Sequence, residues 1–168
     1  MSGTRLTDSQ LRRLMKWDAA TAPIHAGVIQ HADIAFETTP AGTRDLALVS
    51  GIDNLRQQLT TAMTTALGSD PLNARHGFAG FRALAEESDP LLLRERLRFS
   101  VLAVLRADPR IVAVLRVLIG DEIAAWHAGR DEPVPPRTGH GVVDVEAQFT
   151  IRSGETLSVA VGPILGGA

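Results

Sequence analysis

The sequence predicts an α+β fold: two main helices packed on a small, mostly antiparallel sheet, with a C-terminal β-hairpin. Two stretches with apolar residues at helical spacing predict the helices, one at about 52–67 and one from Pro90 to the Asp108-Pro109-Arg110 sequence. Apolar and polar residues alternate at 143–152 and 157–161, which predicts the hairpin. The predicted parts are an N-terminal arm (1–30), a main domain (31–164) with an inserted loop at about 120–141, and a tail (165–168).

The first 20 residues contain a candidate for a short amphipathic helix, with Thr7 or Asp8 as its N-cap. Its apolar positions are Leu11, Leu14, Met15 and Trp17. The sequence "TAPIHAG" then breaks the pattern. Two interpretations stay open: an arm that swings or docks on a partner, and a helix that packs on its own domain.

The first long helix is preceded by two short extended pieces, "DIAF" and "DLALVSG", which the turn-rich "ETTPAGTR" separates. The apolar stripe of this helix comprises Ile52, Leu55, Leu59, Met63, Ala66 and Leu67. Ser50 stands where an N-cap is expected, and Asp53 completes a pair that resembles a capping box. Gly68 follows the last apolar position and is the expected C′ glycine.

The second long helix follows a loop, "GSDPLNARHGFAG", and a short helical stretch, "FRALAEE". Asp89 is the expected N-cap, and Pro90 suits the first helical position because its missing N–H would be unsatisfied there anyway. The predicted buried face comprises Leu93, Leu97, Val101, Val104 and Leu105.

The chain after the second helix predicts strands. "IVAVLRVLI" is rich in β-branched residues and follows a proline, and its apolar character on both faces predicts a central strand. The insertion is expected to carry a short helix around Ile123 to His127. "GPILGGA" breaks the alternation of the hairpin and is expected to form a tail, and we identify no internal repeat.

Composition excludes several classes of function. The net charge of −2 and the pI of about 6.2 predict no binding to nucleic acid or to an anionic membrane. Without cysteine, disulfides and thiolate metal sites are impossible. Apolar runs such as "IVAVL" are far shorter than the roughly 18 residues of a membrane helix, so we expect a chain that is cytoplasmic on synthesis. The 16 arginines against one lysine reflect either genome composition or forked contacts to carboxylates of partners.

Motifs for catalysis or for cofactors are missing. The five histidines show no metal-ligand spacing, and neither GxxxxGK[ST], GxGxxG nor GxSxG occurs. A pair of carboxylates is the one catalytic arrangement that composition leaves open, and acids cluster at Glu86, Glu87, Asp89 and Glu95. We interpret the first two as solvated and Asp89 as a helix cap. The prediction is therefore a protein without catalytic residues, cofactor or metal.

The sequence Asp108-Pro109-Arg110 at the end of the second long helix needs a physical explanation. Pro109 ends the helix, and the Arg110 guanidinium can then reach the last carbonyls of the helix, Asp108 or a partner. An acid at a helix C-terminus opposes the helix dipole, so Asp108 should have a cationic neighbour, for which Arg106 and Arg110 are the candidates. The motif is either a structural helix stop or a contact with another protein.

Three motifs in order resemble the baseplate wedge and sheath-initiator family of contractile tails, often labelled lysozyme-like. Asp45-Leu46, followed by Gly51, Asn54-Leu55 and Gln57, resembles the entry to the family's first long helix. His76-Gly77 resembles its proline-tyrosine-glycine loop, although the proline and tyrosine are missing here. Asp108-Pro109-Arg110-Ile111 resembles its acid-proline-arginine motif. The resemblance extends from Asp33 to Val161.

The resemblance implies a structural protein of a phage tail, a type VI secretion system or a phage-tail-like particle. It implies incorporation into a baseplate in several copies. Its partners would be larger wedge proteins, the sheath subunit and, further, hub, spike and inner-tube proteins. The C-terminal hairpin would start sheath polymerisation by strand exchange. The expected protein-binding residues are Asp108, Pro109, Arg110, Val143, Val145, Phe149, Leu157, Val159 and Val161. The alternatives are a peptidoglycan hydrolase and a small regulatory adaptor.

Overall fold

The computed structural model describes residues 7–25, 28–130 and 142–165, and it confirms the predicted α+β fold with its C-terminal hairpin. The helices are α1 (Asp8–Met15), α2 (Ile52–Thr64), α3 (Gly80–Glu86), α4 (Pro90–Ala107) and α5 (Asp121–Ala128). The strands are β1 (Trp17–Ala19), β2 (Thr21–His25), β3 (Val28–Ile34), β4 (Phe36–Thr38), β5 (Arg44–Leu46), β6 (Leu48–Ser50), β7 (Ile111–Ile119), β8 (Val142–Ile151) and β9 (Thr156–Leu165). The described strand pairs are all antiparallel.

The core lies between the C-terminal sheet and helices α2 and α4. The sheet has the order β7-β8-β9. Alternate residues of β8 are buried, namely Val145, Ala147, Phe149 and Ile151, while the residues between them are partly exposed. They pack with the apolar faces of α2 and α4, which include Leu55, Leu59, Leu97, Val101 and Leu105. One face of the hairpin is thus buried, as its alternation predicts.

The position of β7 differs from the prediction. We expected a central strand, but β8 is central and β7 lies at the edge of the sheet. Its apolar residues Val112 and Leu115 are more than half exposed, and the register shifts twice along the strand. The apolar character of both faces of β7 therefore did not mean that β7 has a neighbouring strand on each side. The bulges blunt this edge for further pairing.

The end of the chain also differs from the prediction. "GPIL" continues β9 to Leu165 instead of forming a tail. The register between β8 and β9 shifts between the pairs Val143↔Ile164 and Val145↔Val161, which leaves Gly162-Pro163 at a bulge. Proline is tolerated in a sheet at an edge strand or a bulge, because its missing N–H removes no ladder bond there.

The helix termini were predicted in part. Thr7 caps α1 in a capping box with Gln10, and Asp89 caps α4 with Pro90 in its first turn, as expected. The predicted caps of α2 are wrong. Ser50 belongs to β6, so Gly51 at φ 68° is the N-cap and makes no side-chain bond. The helix ends at Thr64, and Gly68 lies in a later turn.

Strands β1 to β6 form three antiparallel ribbons that meet at three alanines. Ala20 N–H donates to the Ala47 carbonyl (2.7 Å), Ala47 N–H to that of Ala35 (3.0 Å), and Ala35 N–H to that of Ala20 (2.8 Å). The ribbons β1/β6, β2/β3 and β4/β5 leave from this closed ring of hydrogen bonds. Each alanine is the third residue of a short Asp-x-Ala repeat, at 18–20, 33–35 and 45–47, which inspection of the sequence missed.

The predicted arm is in contact with the rest of the fold. Met15, the last residue of α1, is fully buried in the core, and β1 pairs with β6. These contacts favour a helix packed on its own domain. In the insertion, α5 covers the predicted short helix, and residues 131–141 lie outside the described part. No helix of the described residues has the length and apolar character needed to cross a membrane.

A candidate protein-binding site at the Asp-Pro-Arg corner

Arg110 turns inward at the corner between α4 and β7. It is 8% exposed, whereas Pro109 beside it faces solvent. The Asp108 carboxylate accepts hydrogen bonds from the Arg110 backbone N–H (2.9 Å) and from its Nε (2.8 Å), and it also pairs with Nη2. Of the two candidate partners for Asp108, Arg110 is thus the one observed. The acid at the end of α4 is compensated locally, as the helix dipole requires.

The other guanidinium donors reach α1 and α2. Arg110 Nη1 donates to the Met15 carbonyl (3.1 Å), and Nη2 donates to Oε1 of Gln58 (2.6 Å). The Met15 carbonyl also accepts from Nδ2 of Asn54, which is fully buried (2.9 Å). A cation at the C-terminus of α1 is favourable because the unpaired carbonyls there carry partial negative charge. Arg110 therefore holds α1 against α2.

The surroundings of Asp108 change its acidity. Burial alone would raise the pKa of the Asp108 carboxyl, but the hydrogen bonds and charge of Arg110 outweigh it and hold the pKa below the usual range. Glu122 at the start of α5 is similar. Burial opposes its charge, yet Arg98, 2.6 and 2.7 Å from its two oxygens, and the Ile119 N–H lower its pKa.

Both carboxylates predict that the protein loses stability in acid. Because the folded pKa of Asp108 lies below its ordinary value of 3.8, its contribution is fully present above that pH and is lost as pH falls through the folded pKa. We expect the free energy of unfolding, measured in urea at several pH values, to fall below about pH 4. Asp108→Asn should weaken this acid dependence. An unchanged pH profile in that variant would contradict the assignment.

A groove of about 390 Å³ lies on the outer side of the same corner. Leu59 and Ala62 of α2 and Ala103 and Val104 of α4 line its walls, and Leu67 of the following loop completes its apolar part. Its polar lining residues are Gln58, Arg75, His76, Ser100 and Asp108. Asp108 and Pro109 therefore face the groove, while Arg110 anchors them from within.

Gly77 shapes one wall of the groove. Its φ is +117°, and a Cβ at this position would lie 2.7 Å from the Thr65 carbonyl oxygen and 2.9 Å from the backbone of Ala66. The loop approaches this closely because Phe78 N–H donates to the Thr65 carbonyl (2.8 Å) and Leu67 N–H to that of Phe78 (3.2 Å). Glycine is required at position 77 because φ is positive and because a Cβ would clash with the neighbouring backbone. The loop that resembles the family's motif only in part thus has a demanding backbone geometry.

The predicted hairpin residues are mostly interior. Val145, Phe149 and Val159 are buried in the core of this chain, and Val143 and Leu157 pack partly buried against it. The backbone of Val161 lies opposite Val145, and its side chain lies outside the described part. These side chains therefore support the fold. What the hairpin offers a partner is the outer backbone edge of β9, with which no described strand pairs.

The first motif of the resemblance also organises the fold locally. Gln57 donates to the Ala19 carbonyl (2.8 Å) and accepts from the Thr21 N–H (2.9 Å), which holds the ribbon junction on α2. Gln58, four residues after Asn54, was not singled out from the sequence. Its only signal there is this spacing, which places the two amides on one face of α2.

Two of the clustered acids, Glu86 and Glu87, pair with arginines. Glu86 lies 2.7 Å from Arg82 and 3.5 Å from Arg96, and Glu87 lies 3.4 Å from Arg96. The hydrogen bond from Arg82 lowers the pKa of Glu86. A general acid for glycoside hydrolysis needs a raised pKa, so this arrangement does not favour that chemistry. Among the described residues, no group of three or more His, Asp or Glu side chains could hold a metal ion.

Fold and site together define an α+β protein with an apolar groove beside a buried arginine, Arg110, which is hydrogen-bonded to Met15, Gln58 and Asp108. No protein-family model matches the chain, and no curated protein matches it.

Proposed function

We propose that this chain is a structural component of the baseplate of a contractile injection system. It binds wedge proteins through the groove and initiates the sheath through its C-terminal hairpin. One observation supports the proposal most: two of the three motifs that carry the resemblance, His76-Gly77 and Asp108-Pro109, converge on one groove, which α2 of the first motif also lines. These segments are more than 30 residues apart in the chain.

The groove suits a helix from a larger wedge protein. Two helices line it with small and aliphatic side chains, and polar residues complete the lining. An amphipathic helix binds such a groove by its apolar face, while its flanking polar residues meet the rim. Asp108 lines the groove, but its carboxylate is paired with Arg110 and largely buried, so we expect the groove to bind chiefly through apolar contacts.

The outer edge of β9 suits addition of a strand from a sheath subunit. β9 is ten residues long. Its first six residues, 156–161, carry neither lysine nor proline and pair with β8 without a shift of register, and the bulge at Gly162-Pro163 lies beyond them. Such blunting devices normally protect an edge strand from pairing with other chains. An edge that lacks these devices over six residues supports strand addition, in which backbone hydrogen bonds supply the affinity.

The groove is tested by co-expressing the chain with the proteins encoded beside it and purifying the complex. Ala103→Arg places a long charged side chain in the groove from an exposed position on α4, so the fold should persist. Ala85→Arg on α3 is the matched control, because Ala85 is exposed and lies outside the groove. We expect the wedge proteins to co-purify with the native chain and the control but not with Ala103→Arg. Equal recovery with all three would contradict the proposal.

The hairpin edge is tested by lysine substitutions on exposed positions of β9. Thr156→Lys with Ala160→Lys should blunt the edge, whereas Gln148→Lys on the central strand β8 adds charge away from it. We expect electron micrographs to show particles with short or missing sheaths only for the β9 variant. Sheaths of normal length that still contract would refute initiation through this edge.

A further inference from the structure

An exposed apolar surface surrounds the alanine junction. It consists of Trp17, Ile34, Phe36, Leu46 and Leu48, which are 69%, 50%, 55%, 44% and 61% exposed. We call it the junction face. Single exposed apolar residues are ordinary on protein surfaces, but a contiguous patch of this kind usually marks an interaction site.

The strand registers place these side chains on one side of the ribbons. Phe36 lies opposite Leu46, and Leu48 lies opposite Ala19. Residues directly opposite each other in an antiparallel pair point to the same face. Ile34 and Phe36, like Leu46 and Leu48, are two residues apart in extended chain, which again gives one face.

The opposite side of the junction is already occupied. Asp18 points to α2, where it accepts a hydrogen bond from Gln58 (3.4 Å), and Gln57 bonds the backbone of Ala19 and Thr21. α2 therefore covers one side of the β1/β6 ribbon beside the junction. An apolar sheet face is normally buried against a second layer. No described residue of this chain supplies that layer on the junction face, since its large side chains stay half exposed.

The size of the junction face fits a particular occupant. From the exposed fractions and typical side-chain areas, the five residues present roughly 500 Å² of apolar surface. Two such faces in contact would bury on the order of 1,000 Å², about the lower limit for a specific interface, and the rim adds to this area. Trp17 and Phe36, with the Arg44 guanidinium 5.0 Å from the Phe36 ring centroid, are the residue types that dominate interface energies.

We propose that the junction face binds a second copy of this chain in a symmetric dimer. A second copy is a suitable occupant because a two-fold axis sets the same patch against itself, and two copies of this face bury about the area that a specific interface needs. The inference does not depend on the proposed baseplate role.

Sedimentation equilibrium of the full chain between about 1 and 100 µM tests the proposal, because an interface near the lower size limit is expected to dissociate in this range. Phe36→Glu and Leu48→Glu place a charge on the junction face. Phe99→Glu and Leu92→Glu are matched controls on α4, with 69% and 55% exposure. We expect a native dimer whose dissociation constant rises about 30-fold or more in each junction-face variant and stays within about threefold in the controls.

Three results would overturn it: a native chain that remains monomeric at the highest concentration, a dimer that tolerates both junction-face variants, or a dimer that the control variants weaken equally. Far-UV circular dichroism shows whether each variant is folded. All four positions are exposed, so their substitution should not disturb the core.

Discussion

Arg110→Ala is expected to lower the free energy of unfolding by about 3–5 kcal/mol, the usual cost of breaking a buried ion pair. The change leaves the Asp108 carboxylate without its cation, and it removes the donors to the Met15 carbonyl and to Gln58. The largest part of the loss is the unpaired buried charge. Urea unfolding followed by circular dichroism measures the effect.

Two further variants separate the effect of the Arg110–Asp108 ion pair from the general effect of losing an arginine. Arg106→Ala, near the exposed end of α4, should change stability by less than about 0.5 kcal/mol. The double variant Arg110→Met with Asp108→Ala removes both charges, so it should be more stable than Arg110→Ala alone. If the double variant is the less stable of the two, the ion pair is not the source of the effect. If Arg110→Ala failed to bind wedge proteins, that result alone would not distinguish unfolding of the variant from the loss of a direct contact.

Phe149→Ala is expected to lower the free energy of unfolding by about 3–5 kcal/mol through the cavity that it leaves. Phe149 is fully buried on the central strand β8, opposite Val114 on β7 and Leu157 on β9. Thermal or urea unfolding measures the loss. Phe99→Ala is the control, because Phe99 is 69% exposed and its truncation should cost less than about 0.5 kcal/mol.

This result also bears on the proposed initiation of a sheath. A Phe149→Ala chain that keeps native stability but fails to start a sheath would mean that Phe149 contacts a partner, contrary to its burial. Deletion from Val142 onward cannot make this distinction, since it removes β8 and β9 and with them much of the core. The lysine substitutions on β9 leave the core intact and are the cleaner test.

The alternation of apolar residues predicted the hairpin, and helical spacing predicted α2 and α4, because both periods reflect which side chains face a core. Asp89 and Pro90 predicted the start of α4 from local chemistry alone. The start of α2 could not be predicted in the same way. Ser50 is a good capping residue, but pairing of β6 with β1 keeps it in a strand, and Gly51 takes the positive φ at the turn.

The sequence by itself determined the α+β class, the two long helices, the hairpin and the sharp end of α4 at Asp108-Pro109, since all of these depend on residues near one another in the chain. Only the tertiary structure decided that β8 is the central strand and that three Asp-x-Ala segments are joined by a ring of hydrogen bonds. It also decided that Arg110 donates hydrogen bonds to Met15 and Gln58. Those contacts join residues 52 and 95 positions apart. An arginine carries five donors in every context, and only the folded chain determines which acceptors come within their reach.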